Sequence, residues 1–115
     1  MPQLPDLERL RRAVPEDVVL GALIDAATIG RWRVLRINDS RRQAGGRLVG
    51  DSGCAGWPDL YCVRGSEAVA IEAKSERGRL RPGQAEWLDA LAATGVETFI
   101  ARPSNLDSIV ERLLR

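Results

Sequence analysis

The sequence predicts an α/β fold, a mixed sheet flanked by helices, in the order helix, three strands, helix, strand, helix. Three observations predict it. A helix-spaced apolar stripe runs from Pro15 to Ile29, two β-friendly runs flank a tight-turn signal at Gly65-Ser66, and a second helical stretch after Pro82 leads into a strand and an amphipathic tail. With 115 residues, 44% of them hydrophobic, the chain is one domain with enough core to fold alone, and dimerisation would add to that core.

Met1 to Val14 mixes prolines, charges and leucines, and reads either as an arm or as a short helix over Leu7 to Ala13. Residues 1–14 are therefore set apart from a domain over 15–115. Pro15 to Ile29 is a helix with Pro15 near its first position and Gly30 beyond its end. Glu16, Val19, Leu20, Leu23 and Ala27 share one face, so Glu16 heads the buried stripe and Asp17 does not. Trp32 to Ile37 alternates apolar and basic residues as a half-buried strand does. Residues 38–56, rich in Gly, Ser and Arg, form a loop too long for a structural turn, and loops of that length are usually functional. Leu60 to Val63 and Ala68 to Ala73 are the two arms of a hairpin, with Gly65-Ser66 a type II′ signal. Pro82 opens a helix to about Thr94 that aims Gln84, Trp87, Leu88 and Leu91 inward. Gly95 stops it, Glu97 to Ala101 is a strand, and Leu106 to Leu114 is a last amphipathic helix.

The hairpin carries the chemistry. With Gly65 and Ser66 as the turn, Arg64 faces Glu67, Cys62 faces Val69, Leu60 faces Ile71 and Asp59 faces Glu72. Directly opposed residues have Cβ atoms roughly 4.5–5.5 Å apart, and like charges there are destabilising unless neutralised. Side chains alternate along a strand, so Glu72 and Lys74 share one face while Val69, Ile71 and Ala73 take the other. Two acids and a lysine on one side of a sheet suit a divalent ion such as Mg²⁺ or Mn²⁺, which prefers oxygen ligands. They equally suit an ordinary exposed ion pair, with Asp59 a turn residue after Pro58.

Composition favours the first reading. The chain holds 17 Lys and Arg residues, and Lys74 is the only lysine among them. Lysine is a compact point charge with a movable pKa, whereas arginine is an always-charged planar fork. A small cation beside a scissile phosphate calls for lysine. The chain has no histidine, which excludes Ser-His-Asp and Cys-His arrangements, His-dependent zinc sites and nucleases built on a histidine base. Cys54 and Cys62 form no C-x-x-C, and Cys62 reads as a small buried hydrophobe rather than a zinc ligand or disulfide half.

The formal net charge is only +1, but it is segregated. Residues 31–47 carry Arg31, Arg33, Arg36, Arg41, Arg42 and Arg47 against Asp39, and residues 74–81 carry Lys74, Arg77, Arg79 and Arg81 against Glu76. A basic surface around an acidic site suits a phosphate backbone. Arg36, Arg41, Arg42, Arg47, Arg77, Arg79 and Arg81 are the candidate DNA contacts, and the loop 38–56 is expected to hold DNA. No apolar run approaches the ~18 residues of a membrane span, and no signal-peptide pattern opens the chain, so a cytoplasmic protein with no membrane partner is expected.

Gly56-Trp57-Pro58-Asp59-Leu60, Glu72-Ala73-Lys74 and Gly78 to Gln84 together resemble the G-x-P-D-L, E-x-K and G-x-L-x-x-x-Q signatures of the VRR-NUC nucleases, a branch of the PD-(D/E)XK superfamily. Trp87-Leu88, Gly95 and Ala101 to Ser104 are similar to the tail of small standalone bacterial and phage members. The resemblance runs from about Pro15 to the C-terminus. Arg81 departs from it where a serine or threonine is common, and Ile100-Ala101 where bulkier residues are.

The resemblance implies an αβββαβ core with a mixed central sheet. It also implies a metal-dependent endodeoxyribonuclease in which Asp59, Glu72, the Ala73 backbone carbonyl and, directly or through water, Glu16 hold Mg²⁺ or Mn²⁺. Lys74 then positions or activates water, and Gln84 orients it or the substrate. The implied products carry a 5′-phosphate and a 3′-hydroxyl. Small standalone relatives resemble Holliday junction resolvases that act as homodimers, so branched DNA, a second copy of the chain, and a setting in phage or host replication and repair are expected. Two other classes stay open: a non-catalytic nucleic-acid-binding module, and a nuclease subunit that needs a partner protein.

Overall fold

The computed structural model describes residues 4–37 and 55–115. The expected loop 38–56 therefore lies outside the described residues apart from its last two, and with it Arg41, Arg42, Arg47 and Cys54. Four helices and four strands follow one another as α1 (Leu4–Arg12), α2 (Glu16–Ile29), β1 (Arg33–Leu35), β2 (Leu60–Arg64), β3 (Glu67–Ala73), α3 (Gln84–Ala93), β4 (Glu97–Ala101) and α4 (Leu106–Leu114). The strands form one sheet in the order β1-β2-β3-β4, antiparallel at the first two junctions and parallel at the third. The expected mixed α/β architecture is the observed one.

The first segment is a helix. Asp6 in the first turn of α1 and Arg9, Arg11 and Arg12 in the last complement the helix dipole, and Arg12 bonds Glu8 one turn back at 2.6 Å. Of the expected stripe on α2, Val19, Leu23 and Ala27 are buried, Leu20 is partly buried and Glu16 is exposed; with Ala26 the buried three pack with Leu60, Cys62, Val69, Ile71 and Ala73 of the hairpin and with Ile109 and Leu113 of α4. Cys62 lies at the centre of this core. Burial pushes its thiol up to about 11, so it behaves as a hydrophobe and not as a ligand.

Two boundaries differ from the expectation. The strand expected over Trp32 to Ile37 is only Arg33–Leu35, because the Trp32 amide still donates to the Ala27 carbonyl (2.9 Å) and belongs to the end of α2. There Arg31, not Gly30, takes the left-handed conformation (φ 65°); Gly30 is needed for space, since a Cβ on it would strike the Leu113 carbonyl. The helix expected from Pro82 starts at Gln84. Its N-cap is Gly83 in the left-handed region (φ 93°), a turn that the prolyl ring of Pro82 precedes rather than enters.

The hairpin register is as derived from the Gly-Ser turn: Leu60 opposite Ile71, Cys62 opposite Val69, Arg64 opposite Glu67. Gly65 has φ 58° and Ser66 has no positive φ, as a type II′ turn requires. At this end Arg64 and Arg112 both reach Glu67, at 2.9 Å each, and hydrogen bonds from the two guanidinium groups hold the Glu67 carboxyl below its ordinary value. A depressed folded-state pKa contributes stability that is present above the unfolded value and is lost as pH falls through the folded one. Glu67→Gln is therefore expected to flatten the fall of thermal stability below about pH 4.5, an ordinary glutamate value, and to leave the slope near neutrality unchanged.

Candidate active site: an acid pair and a buried lysine

The register of β2 and β3 continues one residue beyond β2, bringing Asp59 beside Glu72. Asp59 Oδ2 accepts the Ala73 amide proton (2.8 Å), and the Asp59 amide donates to Glu72 Oε1 (3.3 Å). Lys74 follows on the same side as Glu72, its Nζ 3.5 Å from Glu72 Oε2. The Lys74 amide bonds the Ala101 carbonyl at 2.9 Å, so the β3–β4 pairing continues past the strand and fixes the lysine backbone. Glu72 is 2% exposed and Lys74 5%. The alternative of an ordinary ion pair on a solvated face is thereby excluded.

Burial pushes the Glu72 carboxyl up to about 7; the neighbouring Asp59 charge adds to the rise and the Lys74 ammonium opposes it. Two carboxylates and one amine leave the site short of positive charge. The oxygen donors at hand are the Asp59 and Glu72 carboxylates and the Ala73 carbonyl, hard donors of the kind that Mg²⁺ and Mn²⁺ take. Among the described residues no group of three or more His, Cys, Asp or Glu side chains gathers at metal-holding distance. Glu16, on the first turn of α2 and with its side chain 54% exposed, comes instead within 4.0 Å of Lys74 Nζ. The structure thus brings Asp59, Glu72 and Lys74 together and attaches Glu16 through the lysine.

Gln84 joins from the first turn of α3. Its Nε2 donates to Glu72 Oε2 (2.8 Å) and its Oε1 accepts the Arg81 amide proton (2.7 Å), so both ends of the amide are used and its direction is set. The Gln84 backbone N–H, for which a Ser or Thr side chain at position 81 could be an acceptor, donates instead to the Arg81 carbonyl (3.0 Å).

Three features that sequence reasoning left without a role hold this arrangement. Gly56 (φ 87°) and Gly83 lie against each other, and a Cβ on Gly56 would stand 2.6 Å from the Gly83 oxygen and 2.8 Å from the Gln84 nitrogen. The segment that leads into Asp59 meets the start of α3 at this close contact, which leaves no room for a side chain on Gly56. Trp87 braces it, donating from Nε1 to the Ala55 carbonyl (3.1 Å) and meeting Trp57 edge to face at 5.0 Å. Arg102, just after β4, sends Nη1 to the carbonyls of Ser75 (2.9 Å), Glu76 (3.3 Å) and Gly78 (2.7 Å), clamping the loop that follows Lys74. The signals were present in the quoted motifs, two glycines far apart in sequence and an Arg-Pro-Ser after a strand, but their meeting is a tertiary fact. Arg102→Ala is expected to leave three carbonyls without their charged donor and to destabilise the domain by about 1–3 kcal/mol. Hydrogen exchange should then quicken at residues 75–79 before the rest of the sheet.

Of the candidate DNA contacts, Arg36, Arg77, Arg79 and Arg81 are exposed, the last three on the clamped loop beside Lys74. Arg77 also bonds Glu8 of α1 at 3.3 Å. No helix among the described residues is long and apolar enough to cross a membrane.

No curated protein matches the chain. The family model of the VRR-NUC domain matches residues 34–105. That span takes in Asp59, Glu72, Lys74, Gln84 and Arg102 and stops short of Glu16. Well over half the chain is covered, so it belongs to the VRR-NUC domain family, which gives it a nuclease-type function with DNA as the implied substrate.

Proposed function

We propose that the protein is a Mg²⁺- or Mn²⁺-dependent endodeoxyribonuclease that hydrolyses phosphodiester bonds in branched DNA, as a Holliday junction resolvase does. The observation that carries this reading is the burial of Glu72 and Lys74 beside Asp59 on one sheet face. Burying an acid and an amine is costly unless each is compensated, and the partly buried Asp59 beside them adds a further acid that a divalent ion would offset.

Asp59, Glu72 and the Ala73 carbonyl would hold the divalent ion, with Glu16 a direct or water-mediated contact. When bound, such an ion lowers the pKa of water and shields the charge that develops on the phosphate. Lys74 holds a positive charge at a fixed point 3.5 Å from Glu72, where it can position the attacking water and stabilise negative charge on the phosphoryl oxygens. Gln84 keeps the Glu72 carboxylate turned toward the site by its 2.8 Å bond. Arg77, Arg79 and Arg81 supply phosphate contacts along the substrate, and the basic segment that contains Arg41, Arg42 and Arg47 extends them.

One chain has one such site, and cutting two strands of a junction symmetrically takes two. We therefore expect a homodimer at micromolar concentration by light scattering; a monomer would leave a nicking or flap nuclease. The test of the function itself is metal-dependent cleavage of a DNA panel by purified protein. Metal binding with no cutting would favour a subunit that needs a partner protein, and DNA binding without metal dependence a non-catalytic module.

A further inference from the structure

The sheet face that bears Asp59 and Glu72 is shared between two surfaces. Helix α3 packs on β3 and β4. Over β1 and β2 the same face shows Leu35 and Val63 exposed at 49% and 36%, with Tyr61 half-buried between them. Register explains the grouping. Leu35 is opposite Tyr61 and Arg33 is opposite Val63, and because side chains alternate, Tyr61 projects to the same side as Asp59.

Aromatic rings run across this face. Trp87 on α3 meets Trp57 edge to face at 5.0 Å, and Trp57 meets Tyr61 at 5.4 Å with 40° between the planes. Trp57 and Tyr61 lie two residues on either side of Asp59. The chain has only five aromatic residues, and three of them form this row. The row starts on α3, passes Asp59 and ends on β2, beside the exposed Leu35 and Val63. The Trp57–Trp87 contact has a structural use, bracing the segment before Asp59. Tyr61 has none of that duty, since it bonds no part of α3 and lies outside the core cluster on the other face.

We propose that this row, ending in Tyr61, is a stacking platform for a nucleobase with a free π-face next to the scissile phosphate, as a base unstacked at a branch point or left unpaired at a gap or flap has. This rests on the nuclease reading above. A base within a duplex has both π-faces covered by its neighbours, whereas an unpaired base can lay one on an aromatic ring, whatever its identity. Exposed Leu35 and Val63 provide apolar surface around the ring, and exposed Arg33 on the same face provides charge for the phosphate of the stacked nucleotide.

The test uses Tyr61→Phe, which keeps the ring, and Tyr61→Leu, which keeps apolar bulk without it. Each is bound in Ca²⁺ to a gapped duplex with 2-aminopurine in the gap and to the fully paired duplex of the same sequence. Loss of one base–aromatic stack corresponds to a roughly tenfold to hundredfold weaker affinity. The expected result is quenched 2-aminopurine and wild-type affinity for Tyr61→Phe. For Tyr61→Leu it is lost quenching and that weakening on the gapped DNA alone. Unchanged binding and quenching in Tyr61→Leu, or an equal loss on gapped and paired DNA, would overturn the platform. Wild-type cutting with Mn²⁺ is followed alongside. Its absence would sink the nuclease reading, whereas its presence with intact Tyr61→Leu binding would sink the platform alone.

Discussion

Lys74→Ala is expected to lower DNA cleavage by at least about a hundredfold, the usual cost of removing one preorganised charge from a phosphate-transfer site. The fold should survive. Removing one partner of a buried ion pair commonly costs about 3–5 kcal/mol, because the other charge is stranded. Here the stranded group is Glu72, whose carboxyl already sits at about 7 and takes a proton near neutrality at little cost, so a smaller loss is expected. Lys74→Arg should not rescue cleavage, because the site is 5% exposed and a planar guanidinium does not fit where a compact ammonium stands 3.5 Å from Glu72. Thermal unfolding and single-turnover cleavage measured on the same preparations would check both statements. Lost activity with a melting temperature close to wild type is the expected pattern.

Gly56→Ala is the second large effect. The substitution forces a side chain onto a residue at φ 87°, which costs about 1–2 kcal/mol, and places its Cβ 2.6 Å from the Gly83 oxygen and 2.8 Å from the Gln84 nitrogen. Both neighbours are backbone and cannot rotate away. Overpacking of that kind adds about 1–3 kcal/mol, so a total of about 2–5 kcal/mol and a melting temperature lower by roughly 10 °C or more are expected. Relief comes most easily by pulling Ala55 and Gly56 off α3, which carries Gln84 away from Glu72 and lowers cleavage even in the molecules that stay folded. Gly65→Ala is the control. Gly65 has φ 58° with nothing near its would-be Cβ, so only the conformational cost applies and activity should be kept.

These two positions show how far the sequence could be read. The hairpin register followed from two letters, Gly65 and Ser66, because a two-residue turn leaves no freedom in what faces what, and Asp59 therefore met Glu72. Most of the stripe on α2 is legible for the same reason, since a helix of regular pitch repeats its face, but Glu16, expected at the head of the buried face, has its side chain 54% exposed. What the letters did not carry were contacts between distant segments. Gly56 and Gly83 are 27 positions apart, and only the folded chain shows that Gly56 is a glycine because the Gly83 backbone lies against it. The start of α3 was misplaced by two residues for that reason, as Pro82 is a local signal and the left-handed Gly83 answers a tertiary one. Trp32 was read as strand from its alternation with arginines, yet its amide is spent on closing α2. Glu16 was expected among the acids, and its carboxylate comes to Lys74 rather than to Glu72, a distance that helical phase alone does not determine.

Purified protein incubated with labelled four-way junction, flap, single-stranded and plain duplex DNA, in Mn²⁺, Mg²⁺ or EDTA, tests the central claim most directly. Cutting of branched DNA is expected in either metal and none in EDTA, with paired symmetric cuts in the junction. Failure to cut any of these DNAs in Mn²⁺ or Mg²⁺, or cutting that persists undiminished in EDTA, would contradict it.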